Sequence, residues 1–285
     1  MSVTAARRRS APSTSPSASL SPHASAATAL PRPCSHWAGW GQWLALITMT
    51  LDHLVRYVAP DAWQVGWVSS SLGRIAFPLF AGMVAWHGCF NTRDPLRYAR
   101  RILVIGLVAQ LPYMLMPRAS DALIINICFT LSLGLVGGVW LTSLGRRLMQ
   151  EDSASAWRLG AEIAAVAVIW WLAGSLTEYG HPGLLLIPAY MLALRHLHRA
   201  GTAGQDRLAA ALGCMPVLFI GGFMNTSLMA KSFTLATCAL ILLLAAGAHR
   251  HVAAVMWQMP RRLWLSWYPG HFAVIALWLF ASGAI

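Results

Sequence analysis

The chain has 285 residues, of which 57% are hydrophobic and only 11% are charged, and basic residues outnumber acidic ones by 21 to 9. A soluble domain carries about 25% charged residues, so these values exclude a disordered protein and disfavour an ordinary soluble enzyme. The excess of basic residues does not indicate nucleic-acid binding, because fourteen Trp residues accompany so few charges.

The first 36 residues differ from the rest of the chain. They consist largely of Ser, Ala and Pro with four Arg, and they contain no acidic residue. Such a segment cannot bury a core, so residues 1–36 are predicted to be a disordered tail. An acid-free, Arg- and Ser-rich start is also compatible with an organelle transit peptide. Residues 37–285 are predicted to form a single transmembrane helical domain.

Apolar stretches of membrane-spanning length follow one another from Trp37 onward. A helix needs about 20 such residues to cross a bilayer. Eight stretches are clear, near residues 66–89, 100–117, 122–144, 159–177, 182–195, 208–224, 231–248 and 263–283. A ninth, residues 40–59, is interrupted by Asp52, His53 and Arg56.

The distribution of basic residues supports the ninth span. Cytoplasmic loops are enriched in Lys and Arg. Seventeen basic residues fall in the N-terminal tail and in every second gap between spans, whereas the alternate gaps hold only Arg56, Arg118 and Lys231. This alternation requires the first span. The sequence therefore predicts an all-α polytopic membrane protein with nine transmembrane helices, a cytoplasmic N-terminus and a C-terminus outside.

The five cysteines are scattered, without a C-x-x-C motif, and four of them lie in apolar runs. They are interpreted as small buried hydrophobic residues, and no structural metal site is expected.

Three ionisable residues are predicted to share one depth in the membrane. Asp52 and His53 lie in the outer half of the first span, and Arg74 lies at a similar depth in the second. Because such residues are costly in lipid, each is a functional candidate. Asp52 and His53 point about 100° apart on a helix, so Asp52 is expected to pair with Arg74 and His53 to face a cavity. The alternatives are a purely structural Asp52–Arg74 clamp and a His53 imidazole satisfied within the core.

Other polar residues fall on the same outer side. Tyr113 lies near the outer end of the third span, and Glu178, Tyr179 and His181 form a loop that is equally compatible with simple solvation. His271 lies near the middle of the last span, after a Tyr268-Pro269 break that is expected to open the helix locally.

A cluster of arginines lies on the cytoplasmic side. Arg93, Arg97, Arg100 and Arg101 follow at helical spacing. They represent either the topological signal alone or a clamp for the phosphates of a nucleotide-like donor, because guanidinium groups bind phosphate bidentately.

These residues carry a resemblance to the TraX-like family of conjugative-plasmid membrane proteins, including its TrbP-type members. The matching elements, in chain order, are Asp52-His53, Gly73-Arg74-x-x-Phe77-Pro78, Gln110-Leu111-Pro112-Tyr113, Asn126-Ile127 and Tyr268-Pro269-x-His271. The chain departs from the family pattern at Trp86-His87, where the family tends to carry an acidic residue.

The resemblance implies a membrane-embedded acyltransferase of the bacterial inner membrane that N-acetylates the conjugative pilus subunit, pilin, with acetyl-CoA as the donor. In that mechanism His53 is the expected general base and His271 the second candidate. Asp52 would hold Arg74, and Arg74 or Tyr113 would stabilise the developing negative charge. Arg93, Arg97 and Arg101 would bind acetyl-CoA. The expected partners are pilin and membrane lipid, with no nucleic acid and no metal.

Two other functions remain open from the sequence. A membrane transporter would also place paired charges at mid-membrane depth. A non-catalytic pilus-assembly partner would bind pilin without acetylating it.

Overall fold

A computed structural model describes residues 36–118, 122–149 and 156–285. The described residues form one compact, all-helical unit that contains no strand. The predicted tail of residues 1–36 lies outside them except for His36, which begins the first helix.

The helices follow one another with short connections. Their bounds are α1 His36–Tyr57, α2 Gly66–Ser70, α3 Gly73–Trp86, α4 Pro95–Met114, α5 Ile127–Met149, α6 Ala156–Leu176, α7 Gly180–Arg199, α8 Gly204–Phe223, α9 Leu228–Ala245 and α10 Arg261–Ala281. A π-helical turn, His87–Asn91, extends α3, and short 3₁₀ turns lie at Asp61–Trp63 and Ala248–His251.

Within the described part of the chain, six helical segments are long and apolar enough to cross a membrane. They are Gly66–Asn91, Ile127–Met149, Ala156–Leu176, Gly204–Phe223, Leu228–Ala245 and Arg261–Ala281. The prediction of an all-α, membrane-spanning chain is confirmed at this level. Helices α1, α4 and α7 have comparable lengths but fall outside the six, because polar and charged residues dilute their apolar stretches.

The six apolar segments differ in what covers them. Of the most apolar stretch, 61% is buried within the protein in the segment that contains α3, but only 6% in α6. α3 packs against α1, α7 and α9, whereas α6 packs mainly against α7. A helix that is apolar on every side and uncovered by protein requires lipid around it, so α6 lies at the periphery and α3 at the centre.

The more polar helices pack among apolar ones. α7 contacts α3, α5 and α8, and α4 lies between α5 and α10. Gln110 of α4, for example, donates a hydrogen bond to the Ile124 carbonyl at 3.1 Å, next to the start of α5.

Indole hydrogen bonds hold α1 beside α10 and the loop that precedes it. Trp40 and Trp43 donate from Nε1 to the carbonyls of Ala253 and Trp257, each at 2.9 Å. Trp267 donates to the Thr50 hydroxyl, also at 2.9 Å. The earlier residues of α1 contact the loop that precedes α10, and the later residue Thr50 contacts α10 itself, so the two helices run in the same direction.

Close contact between α3 and α9 depends on Gly82. A Cβ at this position would lie 2.7 Å from Cδ1 of Ile241. We expect Gly82→Ala to lower the free energy of unfolding by about 1–3 kcal/mol through overpacking. Gly145→Ala is the matched control, because no atom lies within 4 Å of its Cβ position. Thermal unfolding in detergent measures both, and equal melting temperatures would contradict the packing.

Candidate active site

Two histidines from opposite ends of the chain form a buried pair. Nδ1 of His53 on α1 lies 2.7 Å from Nε2 of His271 on α10, and the two rings are within 4° of parallel. Nδ1 of His271 lies 2.8 Å from the backbone carbonyl of Trp267, one turn earlier on the same helix. The two side chains that the sequence offers as alternative bases are therefore one hydrogen-bonded unit, and His53 is not free to face a cavity as predicted.

The Trp267 carbonyl determines where the protons of the neutral pair lie. A carbonyl only accepts, so Nδ1 of His271 carries a hydrogen and its Nε2 is an acceptor. Nδ1 of His53 must then donate to that Nε2. The remaining nitrogen, Nε2 of His53, is left with a free lone pair. This arrangement orients one imidazole by means of another, as general-base sites require.

Aromatic rings surround the pair. The ring centroid of Phe272 lies 4.5 Å from His53 and 4.4 Å from His271. Tyr57 lies 6.0 Å from His53, and Tyr268 lies 5.6 Å from His271. Because both imidazoles are less than one-tenth exposed, the pair sits in a largely water-free setting that strengthens its hydrogen bonds.

Asp52 pairs with Arg56 and not with Arg74, so the predicted Asp52–Arg74 ion pair is wrong. Nη2 of Arg56 lies 3.0 Å from Oδ2 of Asp52, and the Ser69 hydroxyl donates a short hydrogen bond to Oδ1. The physical reason is that residues four apart on one helix are neighbours. Nε of Arg74 is buried without a hydrogen-bond partner. The Gly of the Gly-Arg motif has a clear role, because a Cβ at Gly73 would lie 2.5 Å from Oδ1 of Asp52.

A loop between α6 and α7 is held against the bundle near these residues. The Ile125 amide donates to the Leu176 carbonyl at 2.8 Å, and the Glu178 amide donates to the Ile125 carbonyl at 3.2 Å. The Tyr179 ring stacks on Phe77 of α3 at 3.9 Å between centroids. These contacts make the loop a packed part of the bundle and not a solvated connection.

Glu178 brings a second carboxyl group near the Asp52–Arg56 pair. Burial raises its pKa, and the charge of Arg56 and the nearby Tyr113 hydroxyl partly offset this. The Arg118 guanidinium lies 4.6 Å above the Tyr113 ring, and that ring meets Phe272 edge-on at 5.4 Å. Tyr113 therefore connects Glu178 to the aromatic wall around the histidines, although it does not contact either imidazole.

Sequence reasoning gave no catalytic role to Arg56 or Glu178. The spacing of Asp52 and Arg56, four residues apart on a helix, could have identified the ion pair. Nothing local in the sequence indicates that Glu178 approaches Tyr113, because that contact depends on the pairing of Ile125 with Thr177.

A cavity of about 390 Å³ runs between α1, α3, α4 and α10 toward the histidine pair. Several polar lining residues lie at the starts of α4 and α10 and along the α3 extension, namely His87, Asn91, Thr92, Arg101 and Arg261. Gln42 of α1 also lines the cavity. Its other end is lined by Met49, Cys128 and Tyr268. His53 follows Met49 by one helical turn, so the pair lies about 6 Å farther along the helix axis.

The structure separates the predicted arginine cluster. Of Arg93, Arg97 and Arg101, only Arg101 lines the cavity. Arg93 precedes the start of α4, and Arg97 pairs with Asp94 at 3.5 Å. Arg261, which the sequence gave no site role, joins Arg101 in the cavity lining.

His87 also lines the cavity, with its Nδ1 2.9 Å from the Asn91 amide nitrogen. Among the described residues, no group of three His, Cys, Asp or Glu side chains could hold a metal ion.

The family model described as TraX protein matches residues 41–279. The chain belongs to the TraX family. The matched range contains both histidines, the Asp52–Arg56 pair, Glu178 and every residue that lines the cavity. The family places the chain among the proteins of conjugative pilus biology. No curated protein and no solved structure matches the chain.

The assignment of the Asp52 partner is tested by double-mutant cycles. We expect Asp52→Asn and Arg56→Gln to couple by about 0.5–3 kcal/mol in unfolding free energy, because the two side chains share one interaction. Asp52→Asn with Arg74→Gln is the comparison cycle and should couple less. Chemical or thermal unfolding of the detergent-solubilised variants measures both cycles. A larger coupling to Arg74 would restore the ion pair expected from the sequence.

Proposed function

We propose that this TraX-family protein is a membrane-embedded acyltransferase that transfers an acetyl group from acetyl-CoA to the N-terminal amine of pilin in the bacterial inner membrane. The observation that carries the proposal is the free Nε2 of His53, left as a proton acceptor by the chain of hydrogen bonds from the Trp267 carbonyl. Family membership supports the pilin acceptor.

The proposed topology has nine spans, with the N-terminus in the cytoplasm and the C-terminus outside. It adds α1, α4 and α7 to the six apolar segments. Length and packing support these three spans. Each helix is 20 to 22 residues long, which is about 30 Å. α7 in particular contacts α3, α5, α6, α8 and α9. Its length and its position among the apolar helices support a path across the bilayer beside them.

The cavity is the proposed donor site. In this topology its arginine-lined end faces the cytoplasm, where acetyl-CoA is found. Arg101 and Arg261 would meet the donor's phosphates as guanidinium groups do elsewhere, and the apolar walls would surround its thioester arm. Arg93 and Arg97 lie outside the lining, and a role for them is limited to contacts outside the cavity.

The outer cluster is the proposed acceptor side. The carboxyl oxygens of Asp52 and Glu178 would accept hydrogen bonds from an ammonium group that approaches the histidine pair. His53 would then remove a proton from the amine as it attacks the thioester carbonyl. His271 would accept the hydrogen bond from Nδ1 of His53 and so stabilise the imidazolium that forms. Donor and acceptor would meet at the pair from opposite sides of the membrane.

Acetylation should depend on both histidines. We expect His53→Ala to lower the rate of pilin acetylation by about 10²–10⁴-fold through loss of the base. His271→Ala should also lower the rate, because Nδ1 of His53 loses its acceptor. His251→Ala, an exposed histidine in the loop before α10, is the control and should retain the wild-type rate. Mass spectrometry of a co-expressed conjugative pilin measures all three.

The outcome separates the proposal from its alternatives. Full acetylation with His53→Ala would refute the base assignment. Pilin that binds the wild-type protein but is never acetylated would indicate an assembly partner. Substrate counterflow in liposomes without consumption of acetyl-CoA would indicate a transporter.

The nine-span topology predicts on which side of the membrane the end of α5 and the C-terminus lie. Alkaline phosphatase, which is active only outside the cytoplasm, should be active when fused after Ile285 and inactive when fused after Arg147. The first result follows from an odd number of spans after a cytoplasmic N-terminus. The reverse pattern, or equal activity of equally expressed fusions, would contradict the topology.

A further inference from the structure

Tyr268 has a buried hydroxyl that makes no hydrogen bond. The side chain lines the cavity and the residue is only 8% exposed. Among the described residues that line the cavity, Tyr268 alone has a buried polar side-chain atom without a hydrogen-bond partner. A buried Tyr hydroxyl usually finds a partner, because an unsatisfied donor is unfavourable. A ligand that supplies an acceptor atom at this end of the cavity would satisfy it.

The position of Tyr268 places this donor beside the proposed base. Tyr268 and His271 are three residues apart on α10, which puts them on the same face of the helix. Their ring centroids are 5.6 Å apart. The residue before Tyr268 supplies the carbonyl that orients His271. One turn of helix therefore provides both the group that orients the histidine pair and an unsatisfied hydrogen-bond donor.

We propose that the Tyr268 hydroxyl donates a hydrogen bond to the thioester carbonyl oxygen of the acyl donor and acts as a catalytic residue. The proposal rests on the proposed acyltransferase function and concerns the same site. It replaces Arg74 and Tyr113 in the role of stabilising negative charge. Arg74 and Tyr113 do not line the cavity, and the Tyr113 hydroxyl is close to the Glu178 carboxyl.

The chemistry in this arrangement balances without a further reactant. The acceptor amine attacks the thioester carbonyl carbon and forms the C–N bond, and the carbonyl π electrons move onto the oxygen held by Tyr268. Nε2 of His53 takes the proton from the nitrogen. The electron pair on oxygen then reforms the C=O bond, the C–S bond breaks, and the thiolate leaves with the proton from His53. The products are the N-acetylated amine and free coenzyme A thiol.

Hydrogen-bond donors directed at an oxyanion act on the transition state more than on the bound substrate. Removing one such donor reduces kcat by about 10²–10³-fold in well-studied enzymes. We expect Tyr268→Phe to show a loss of this size in kcat, with the KM for acetyl-CoA changed by less than about threefold. The variant keeps the aromatic ring, so the packing against Phe272 and His271 is preserved.

Tyr190→Phe is the matched control. Tyr190 is fully buried on α7 and does not line the cavity. Removing its hydroxyl should leave kcat and KM at wild-type values. If both variants lose activity equally while melting at lower temperature, the effect of Tyr268→Phe is structural and the proposal is wrong.

A spectroscopic measurement tests the contact without pilin. Acetyl-CoA labelled with ¹³C at the carbonyl is bound to the full-length protein in detergent, and the isotope-edited infrared spectrum is recorded. A hydrogen bond from Tyr268 lowers the carbonyl stretching frequency relative to free acetyl-CoA. We expect this shift in the wild-type protein and in Tyr190→Phe, and its loss in Tyr268→Phe.

The two measurements distinguish the possible failures. A wild-type protein that acetylates pilin, with an unchanged rate in Tyr268→Phe, overturns the role of Tyr268 and leaves the proposed function intact. A carbonyl shift that depends on Tyr268, without acetylation of pilin, supports the contact and overturns the proposed acceptor. Absence of both the shift and acetylation in the wild-type protein overturns both proposals.

Discussion

The hydrogen bond between the Trp267 carbonyl and Nδ1 of His271 is the interaction on which the site depends. Because a backbone carbonyl only accepts, it selects one tautomer of His271, which in turn makes His53 the donor in the 2.7 Å contact between the two rings. The parallel packing of α1 and α10, held by Trp40, Trp43 and Trp267, brings the two imidazoles to the same depth. The proposed base, the cavity and the Tyr268 donor are all defined relative to this pair.

The charged groups around the pair show how the bundle accommodates ions in an apolar setting. Asp52 is compensated within its own helix by Arg56 and across the connection by Ser69. Because the partner is only four residues away, the compensation needs no precise docking of two helices. Glu178 lies in a loop that is held by backbone hydrogen bonds, and the positive charge of Arg56 also acts on its carboxyl group. The two carboxyl groups thus lie near the guanidinium groups of Arg56 and Arg118, whereas the cavity carries Arg101 and Arg261.

The positions of the helices along the chain could be predicted from the sequence, but the contacts between helices could not. Hydropathy located the helix over residues 159–177, found at Ala156–Leu176, and the alternation of arginines required α1 despite its charges. The sequence also placed His53 and His271 within helices. It could not show that they touch, because 218 residues separate them and helical periodicity does not specify which helices are neighbours. Because the sequence does not specify neighbouring helices, it also gave the wrong partner for Asp52 and no role for Tyr268.

The most direct test of the central claim is the protonation pattern of the histidine pair. ¹⁵N NMR of histidine-labelled protein, assigned with His53→Ala and His271→Ala, reports which ring nitrogens carry hydrogen. The structure predicts that both neutral imidazoles are protonated on Nδ1, with Nε2 of His271 accepting a hydrogen bond and Nε2 of His53 unprotonated. A hydrogen on Nε2 of the neutral His53 ring would contradict this account, because that nitrogen could not then act as the base.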